Sequence, residues 1–323
     1  MEFSVELTLK ILFDDALLDE VASQGVRYIS VPYDLIESNP KKIIRERAAA
    51  LASRGISVDN AHPRFGSYNT AYSLVNQYEN QRKLYLEQLK DGLDRMSILN
   101  VRTAPLHTGG ACQPDAPEWA LEMCAESVRE ILPEAENAGI VLTMENTFFN
   151  KPNRWDGVSE LKSDESSNYP MQITEYRYDD IDKLCKLIEM ISSPYVKGCF
   201  DAGHAHFLGD LRVDHAKMAD NITLYHLHDN NRRIDMHLPP GYGTLNWEVL
   251  GEQIKSVNHK YPIFIEADPW TKGKYGQLIR ETRALLSGGR IHKDKSGQKL
   301  SVRCLNCGHL VLFDDSGEFC GCR

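Results

Sequence analysis

The segment YHLHDNNRRIDMHLPPGYG, residues 225–243, interleaves imidazoles and carboxylates (His226, His228, Asp229, Asp235 and His237) and then turns through Pro239, Pro240, Gly241 and Gly243. Side chains of these types hold divalent cations: Zn²⁺ takes histidine and carboxylate, and Mn²⁺ tolerates more carboxylate. The same types recur elsewhere, as His62, His107, Glu145 in MENTFF, Asp201 and His204 in FDAGHAHF, and Glu266 in IEAD. Any one of them could be an ordinary satisfied polar group at a strand end. Gathered in one place, the three carboxylates would each cost several kcal/mol to bury unpaired, and a bound cation removes that cost.

What must position them is a series of short β-branched or apolar runs at 3–9, 26–33, 56–62, 101–107, 140–146, 196–204, 222–230 and 261–267. Amphipathic stretches such as SLVNQYENQRKLYLEQLKDGLDRMSIL and APEWALEMCAESVREILPEAENAG lie between them. Eight strand–helix alternations predict an α/β fold, a (β/α)₈ TIM barrel over residues 1–287, rather than an open doubly wound sheet; no glycine-rich phosphate fingerprint follows the first strand. Active sites of such barrels are built at the C-terminal ends of the strands. Five of the 11 histidines (His62, His107, His204, His226 and His237) fall at those ends or in the loop after the seventh run, with Glu145, Asp201 and Glu266 beside them. The connection at 148–178 is unusually long and emerges on the same face, as a lid or as a tolerated surface insertion.

Composition limits what such a site acts on. Hydrophobic residues at 42% and charged residues at 26% fit a globular chain and not a disordered one. The net charge is −9, and residues 1–287 alone carry −11, because the stretch after them holds six Lys and Arg against four Asp and Glu. That is a poor footprint for nucleic acid. No apolar run reaches the ~18–20 residues of a membrane span, and MEFSVELTLK lacks the pattern of a secretory signal, so a cytoplasmic protein with no membrane partner is expected. Cys112, Cys124, Cys185 and Cys199 are scattered through the strand and helix patterns, which points to packing rather than disulfides.

MENT, FDAGH, HLHDNN…DMHLPPGYGTLNW and IEAD, in this order, resemble the xylose isomerase-like barrel superfamily, which includes sugar and sugar-phosphate isomerases and epimerases and the DNA-repair enzyme endonuclease IV. The resemblance covers about residues 3–287. In the epimerase branch it implies one Mn²⁺ or similar ion held by Glu145, Asp201, Glu266 and either His226 or His228, with His226 preferred, and His204 against the substrate. His62 and His107 join it there as substrate-binding residues. The endonuclease IV pattern of three zinc ions is also matched, at His62, His107, Glu145, Asp201, His204, His226, Asp235, His237 and Glu266. The resemblance thus implies a sugar or sugar-phosphate isomerase or epimerase, with a trinuclear phosphodiesterase as the alternative. A carbon–carbon lyase of the deglycosidase kind, needing a small partner subunit, is a third reading, and a homo-oligomer is a further one.

Isomerisation removes a proton from carbon beside a carbonyl, a weak acid whose enediolate a metal stabilises. Glu145 and Glu266, from the fifth and eighth strands, suit the removal and return of that proton. Arg232 is a candidate for a distal hydroxyl or phosphate, and Trp270, with Trp155, for an apolar wall against the sugar.

Residues 288–300 read as a polar linker. Beyond it, Cys304, Cys307, Cys320 and Cys322 form C-x-x-C and C-x-C pairs within residues 301–323, which resembles a zinc ribbon with a structural Zn²⁺. The second pair departs from the usual C-x-x-C spacing.

Overall fold

The computed structural model describes residues 1–66, 68–150, 176–233, 235–267 and 274–289, together with the backbone of three short strands at 301–303, 310–313 and 319–322. Eight parallel strands close into a barrel: β1 (Phe3–Glu6), β2 (Tyr28–Val31), β3 (Ser57–Ala61), β4 (Thr103–Leu106), β5 (Val141–Glu145), β8 (Val196–Asp201), β9 (Ile222–Leu227) and β10 (Ile263–Ile265). Around the ring they run β1, β10, β9, β8, β5, β4, β3, β2. The fold is the expected (β/α)₈ barrel. Every strand has helices on its outer face, which is why the strands read as apolar runs rather than as alternating patterns.

The helices bury one stripe each. The helix Glu79–Ser97 turns Tyr85, Leu86, Leu89, Leu93 and Met96 inward at spacings of three and four residues. The helix Glu118–Ala138 does the same with Leu121, Cys124, Val128, Ile131 and Ala135, and stops at Gly139, whose φ of 70° suits a residue without a side chain. Burying each large aliphatic side chain in this shell contributes about 1.5–3 kcal/mol.

The strands end earlier than their apolar runs. The sixth barrel strand, β8, stops at Asp201, because the Asp201 carboxylate accepts from His204 N at 2.7 Å and caps a helix, Ala202–Leu208. The strand–helix junction therefore falls inside FDAGH. The seventh, β9, stops at Leu227, and Asp229 instead bridges to Leu238, midway along the following loop.

The long connection after β5 begins and ends as an antiparallel pair, β6 (Phe148–Asn150) with β7 (Tyr176–Tyr178). Asp179 fixes its base: Oδ2 accepts from both the backbone and the hydroxyl of Thr147 at 3.1 Å. Burial pushes the Asp179 carboxyl up to about 7 against those hydrogen bonds. Residues 151–175, with Trp155, lie outside the described residues.

At the C-terminus the backbone forms a three-stranded sheet, β11 (Ser301–Arg303), β12 (Leu310–Phe313) and β13 (Phe319–Cys322), paired antiparallel. Cys304 and Cys307 lie outside the described residues, and Cys320 and Cys322 are described only as backbone of β13. Among the described residues no helix is long and apolar enough to cross a membrane.

Candidate metal centre

The C-terminal ends of the strands converge as the barrel geometry requires. Glu145 is the last residue of β5, Asp201 the last of β8, and Asp201 pairs in register with His226 on β9, which in turn pairs with Phe264 on β10. Asn146 ties two of these ends together: it accepts from Asp201 N at 2.8 Å and donates to Asp201 O at 2.9 Å.

Apart from a set that joins Cys199 to Glu145 and His226, the side chains form three adjoining groups in which the candidate ligand atoms lie within 4.8 Å of one another. One is Glu145, Asp201, His226 and Glu266, the set preferred for a single ion. The second is His62, His107 and Glu145. The third is His204, His228, Asp235 and His237. Glu145 belongs to the first two, with Oε1 3.5 Å from His226 Nδ1 and Oε2 at 3.3 and 3.4 Å from His62 and His107 Nε2. In the first group Glu266 Oε2 approaches His226 Nδ1 to 2.8 Å. In the third, Asp235 lies 2.9 Å from His237 Nε2, 3.6 Å from His228 Nε2 and 3.7 Å from His204 Nε2. His226 and His228 both turn inward, one into the first group and the other into the third, and His228 Nε2 also lies 3.2 Å from Asp201 Oδ1.

Three of the histidines are oriented from behind. A carbonyl oxygen only accepts, so Nδ1–H of His62, His204 and His237 donates to the backbone oxygens of Pro63, Asn146 and Glu266 at 2.8, 2.9 and 3.0 Å. Each ring therefore presents an unprotonated Nε2 to the centre when neutral, as metal-binding histidines do. Seven of the 15 buried side-chain atoms without a hydrogen-bond partner among the described residues lie here: Asp201 Oδ2, both ring nitrogens of His226 and of His228, Asp235 Oδ1 and Glu266 Oε2. Converging lone pairs left unsatisfied at the barrel mouth fit a divalent cation, and the imidazole–carboxylate donor set fits zinc or manganese.

Without a cation the groups neutralise one another. Burial pushes the Glu145 and Glu266 carboxyls up, but the charges of their imidazole neighbours, His226 foremost, outweigh it, holding Glu145 well below the usual carboxylate range and Glu266 at about 2. Burial lowers His226, while Cys199, Glu266 and Glu145 raise it further, to well above the ordinary imidazole value. His237 rises to about 10 against its burial because Asp235 faces it. His107 goes the other way, lowered by burial despite Glu145.

The loop after β9 owes its shape to Asp229, which sequence inspection grouped with the cation-binding types. Its carboxylate is wholly buried, turned away from the three groups, and accepts from Asn230 N, Leu245 N, Gly241 N and Trp247 Nε1 at 2.9–3.0 Å. The PPGYGTLNW segment is thus the shell of one carboxylate, and it brings Asp235 and His237 back over the mouth. At Gly243 a Cβ would stand 2.2 Å from Asp229 Oδ1. At Gly203 a Cβ would stand 2.0 Å from the His228 ring. Gly203→Ala is therefore expected to displace His228 and weaken the third group by about tenfold or more while sparing the first. Zinc titration of that variant beside the wild type checks this, and unchanged stoichiometry and affinity would refute it.

Arg232 is exposed, adopts a left-handed φ of 64°, and lines a cleft of about 300 Å³ with His206, Arg212 and Thr244. None of the residues of the three groups lines that cleft. Trp270 lies outside the described residues. Sequence reasoning missed Asn146, although it sits inside MENT, and missed Phe65, a half-exposed ring stacked 3.7 Å over His107. Neither carries a spacing signal.

The structure thus defines the class of parallel (β/α)₈ barrels that gather carboxylates and imidazoles at the C-terminal mouth. The chain belongs to the xylose isomerase-like TIM barrel family, matched over residues 18–286. An uncharacterised protein of Methanocaldococcus jannaschii is 25% identical over 189 residues, or 58% of this chain and 64% of that one, so the match spans less than two thirds of the relative. Among solved structures, a D-tagatose 3-epimerase-like protein superposes with a TM-score of 0.65 at 20% identity, covering 89% of this chain and 99% of the other. A 3-keto-D-glucoside 4-epimerase of E. coli gives 0.62 at 17% identity, covering 88% and 99%.

Proposed function

We propose that the chain is a divalent-metal-dependent isomerase or epimerase of a sugar or sugar phosphate. The observation that carries this reading is the first group, in which Glu145, Asp201, His226 and Glu266 converge within 4.8 Å from four barrel strands or strand ends. The shared fold with an epimerase-like protein and with a sugar epimerase supports it. An ion held by those four residues would supply Lewis-acid polarisation of a substrate carbonyl and its neighbouring hydroxyl. The chain does the rest. Glu266 is the more accessible carboxylate, 22% exposed against 2% for Glu145, and takes the proton from carbon beside the carbonyl. Glu145, backed by His62 and His107 on Oε2, returns it from the other side of the substrate. His204, oriented by Asn146 and packed edge-on against Phe148, contacts the sugar. His62 and His107 line the same mouth under Phe65.

One observation favours a second reading. The three adjoining groups, two of them sharing Glu145, offer places for more than one cation, which suits hydrolysis of a phosphodiester. Two assays separate the readings. Ions lost on Glu145→Gln are counted by elemental analysis, and the wild type is tested with a panel of ketoses and their phosphates in D₂O and with DNA containing abasic sites. About one Glu145-dependent ion, with solvent deuterium entering the substrate, is the expected result. About three ions with strand cleavage would replace it with the second reading, and failure to exchange any ketose proton would sink the isomerase. Cation affinity is expected to fall as pH falls, since His226 and His237 must lose protons to bind. We further propose that Cys304, Cys307, Cys320 and Cys322 hold a structural zinc, that the enzyme works in the cytoplasm without a nucleic-acid partner, and that it assembles as a homo-oligomer.

A further inference from the structure

We infer that Cys199 is the positioning residue for His226: its thiol is the partner of the inner ring nitrogen and so keeps Nδ1 turned to the three carboxylates. The inference rests on the barrel holding a cation in the first group.

Cys199 lies two residues before Asp201 on β8, so both side chains point into the barrel, the cysteine one layer deeper. It pairs in register with Glu145 on one side and Leu224 on the other. Sγ of Cys199, a ring nitrogen of His226 and a carboxylate oxygen of Glu145 lie within 4.8 Å of one another. The layer beneath the centre is Cys199, Leu224 and Phe264, all buried, with Phe264 edge-on to the His226 ring at 5.1 Å. Leu224 and Phe264 have no polar side-chain atom, so among these three residues the sulfur is the one side-chain heteroatom.

His226 needs such a partner because it is turned differently from its neighbours. His62, His204 and His237 each secure Nδ1–H on a backbone oxygen and point Nε2 at the centre. His226 points Nδ1 at Glu266, Glu145 and Asp201, at 2.8, 3.5 and 3.8 Å, which leaves Nε2 as the nitrogen to be held from behind. Nε2 makes no hydrogen bond within ordinary limits to any described residue, and a longer, weaker contact to the Cys199 sulfur is what the inference assigns to it. A metal-bound imidazole whose other nitrogen is unsupported rotates more freely, and loss of such an outer partner typically weakens metal binding about 10- to 100-fold. A thiol suits the position, since it accepts a weak hydrogen bond and still packs as a small apolar group.

The test uses the full chain with Zn²⁺ and a competing chromophoric chelator, comparing wild type, Cys199→Ala and Cys199→Ser. Any zinc held by the C-terminal cysteines is common to all three and cancels. The expected result is an affinity about 10- to 100-fold weaker in Cys199→Ala and largely restored in Cys199→Ser. Long-range ¹H–¹⁵N correlation on the zinc-loaded wild type is expected to place the His226 ring proton on Nε2. Equal affinity in Cys199→Ala and wild type overturns the inference, as does equal loss in both variants, which would mark a packing effect. A sulfur-to-metal absorption band in the Co²⁺-loaded wild type that vanishes in Cys199→Ser also overturns it, by making Cys199 a ligand. If Glu145→Gln removes no ion from the wild-type complement, the reading of the centre fails and this inference with it. A loaded centre indifferent to Cys199 sinks the inference alone.

Discussion

Glu145→Gln is expected to leave the barrel folded and to remove both its cation and its turnover. The substitution keeps the shape of a wholly buried side chain but deletes a negative charge lying within 3.5 Å of His62, His107 and His226. Two of the three groups lose a ligand at once, so the affinity loss should exceed the roughly 10- to 100-fold typical of losing an outer hydrogen-bond partner. Loss of a proton-transferring carboxylate alone costs about 10²–10⁴-fold in rate. The far-ultraviolet dichroism should match the wild type, while elemental analysis and turnover should not. Retention of the full metal complement would show that the barrel cation, if any, is held elsewhere.

Asp229→Ala carries the largest expected effect on stability. Its carboxylate is the acceptor for three backbone N–H groups and one indole N–H, all gathered from the loop that follows β9. Alanine leaves those donors without an acceptor in a place water does not reach, a loss of about 3–5 kcal/mol. For a domain of this size that lowers the melting temperature by roughly 10 °C. The loop carries Asp235 and His237, so the third group should loosen together with the fold, and Glu266, whose backbone oxygen holds His237, should feel it next. Calorimetric melting of wild type and variant decides the matter, and a shift within a degree or two would show that the loop is held by its packing instead.

Much of this was legible in the sequence because the barrel writes the residues of its mouth into the chain periodically. Each strand is a short apolar run, and the residue that closes it is placed at the mouth by the parallel topology, so His62, Glu145, Asp201 and His226 could be assigned to one rim. Strand ends were less legible. FDAGH reads as continuous strand, yet Asp201 turns it into a helix by capping, a side-chain-to-backbone bond that hydrophobic pattern does not encode.

The sequence by itself determined the fold class and the inventory of candidate metal-binding side chains, since periodicity and residue type are local properties. Only the tertiary structure divided that inventory, because division depends on which strands adjoin and which way each ring is turned. It placed His226 with Glu145, Asp201 and Glu266, and put His228 with Asp235 in a neighbouring group. It turned Asp229 away from the mouth to serve as a loop anchor, and set Arg232 in a cleft lined by none of the ligands. Two carboxylates six residues apart, Asp229 and Asp235, look alike in the chain. Four N–H donors close around one and three imidazoles around the other, and that difference in surroundings separates scaffold from chemistry.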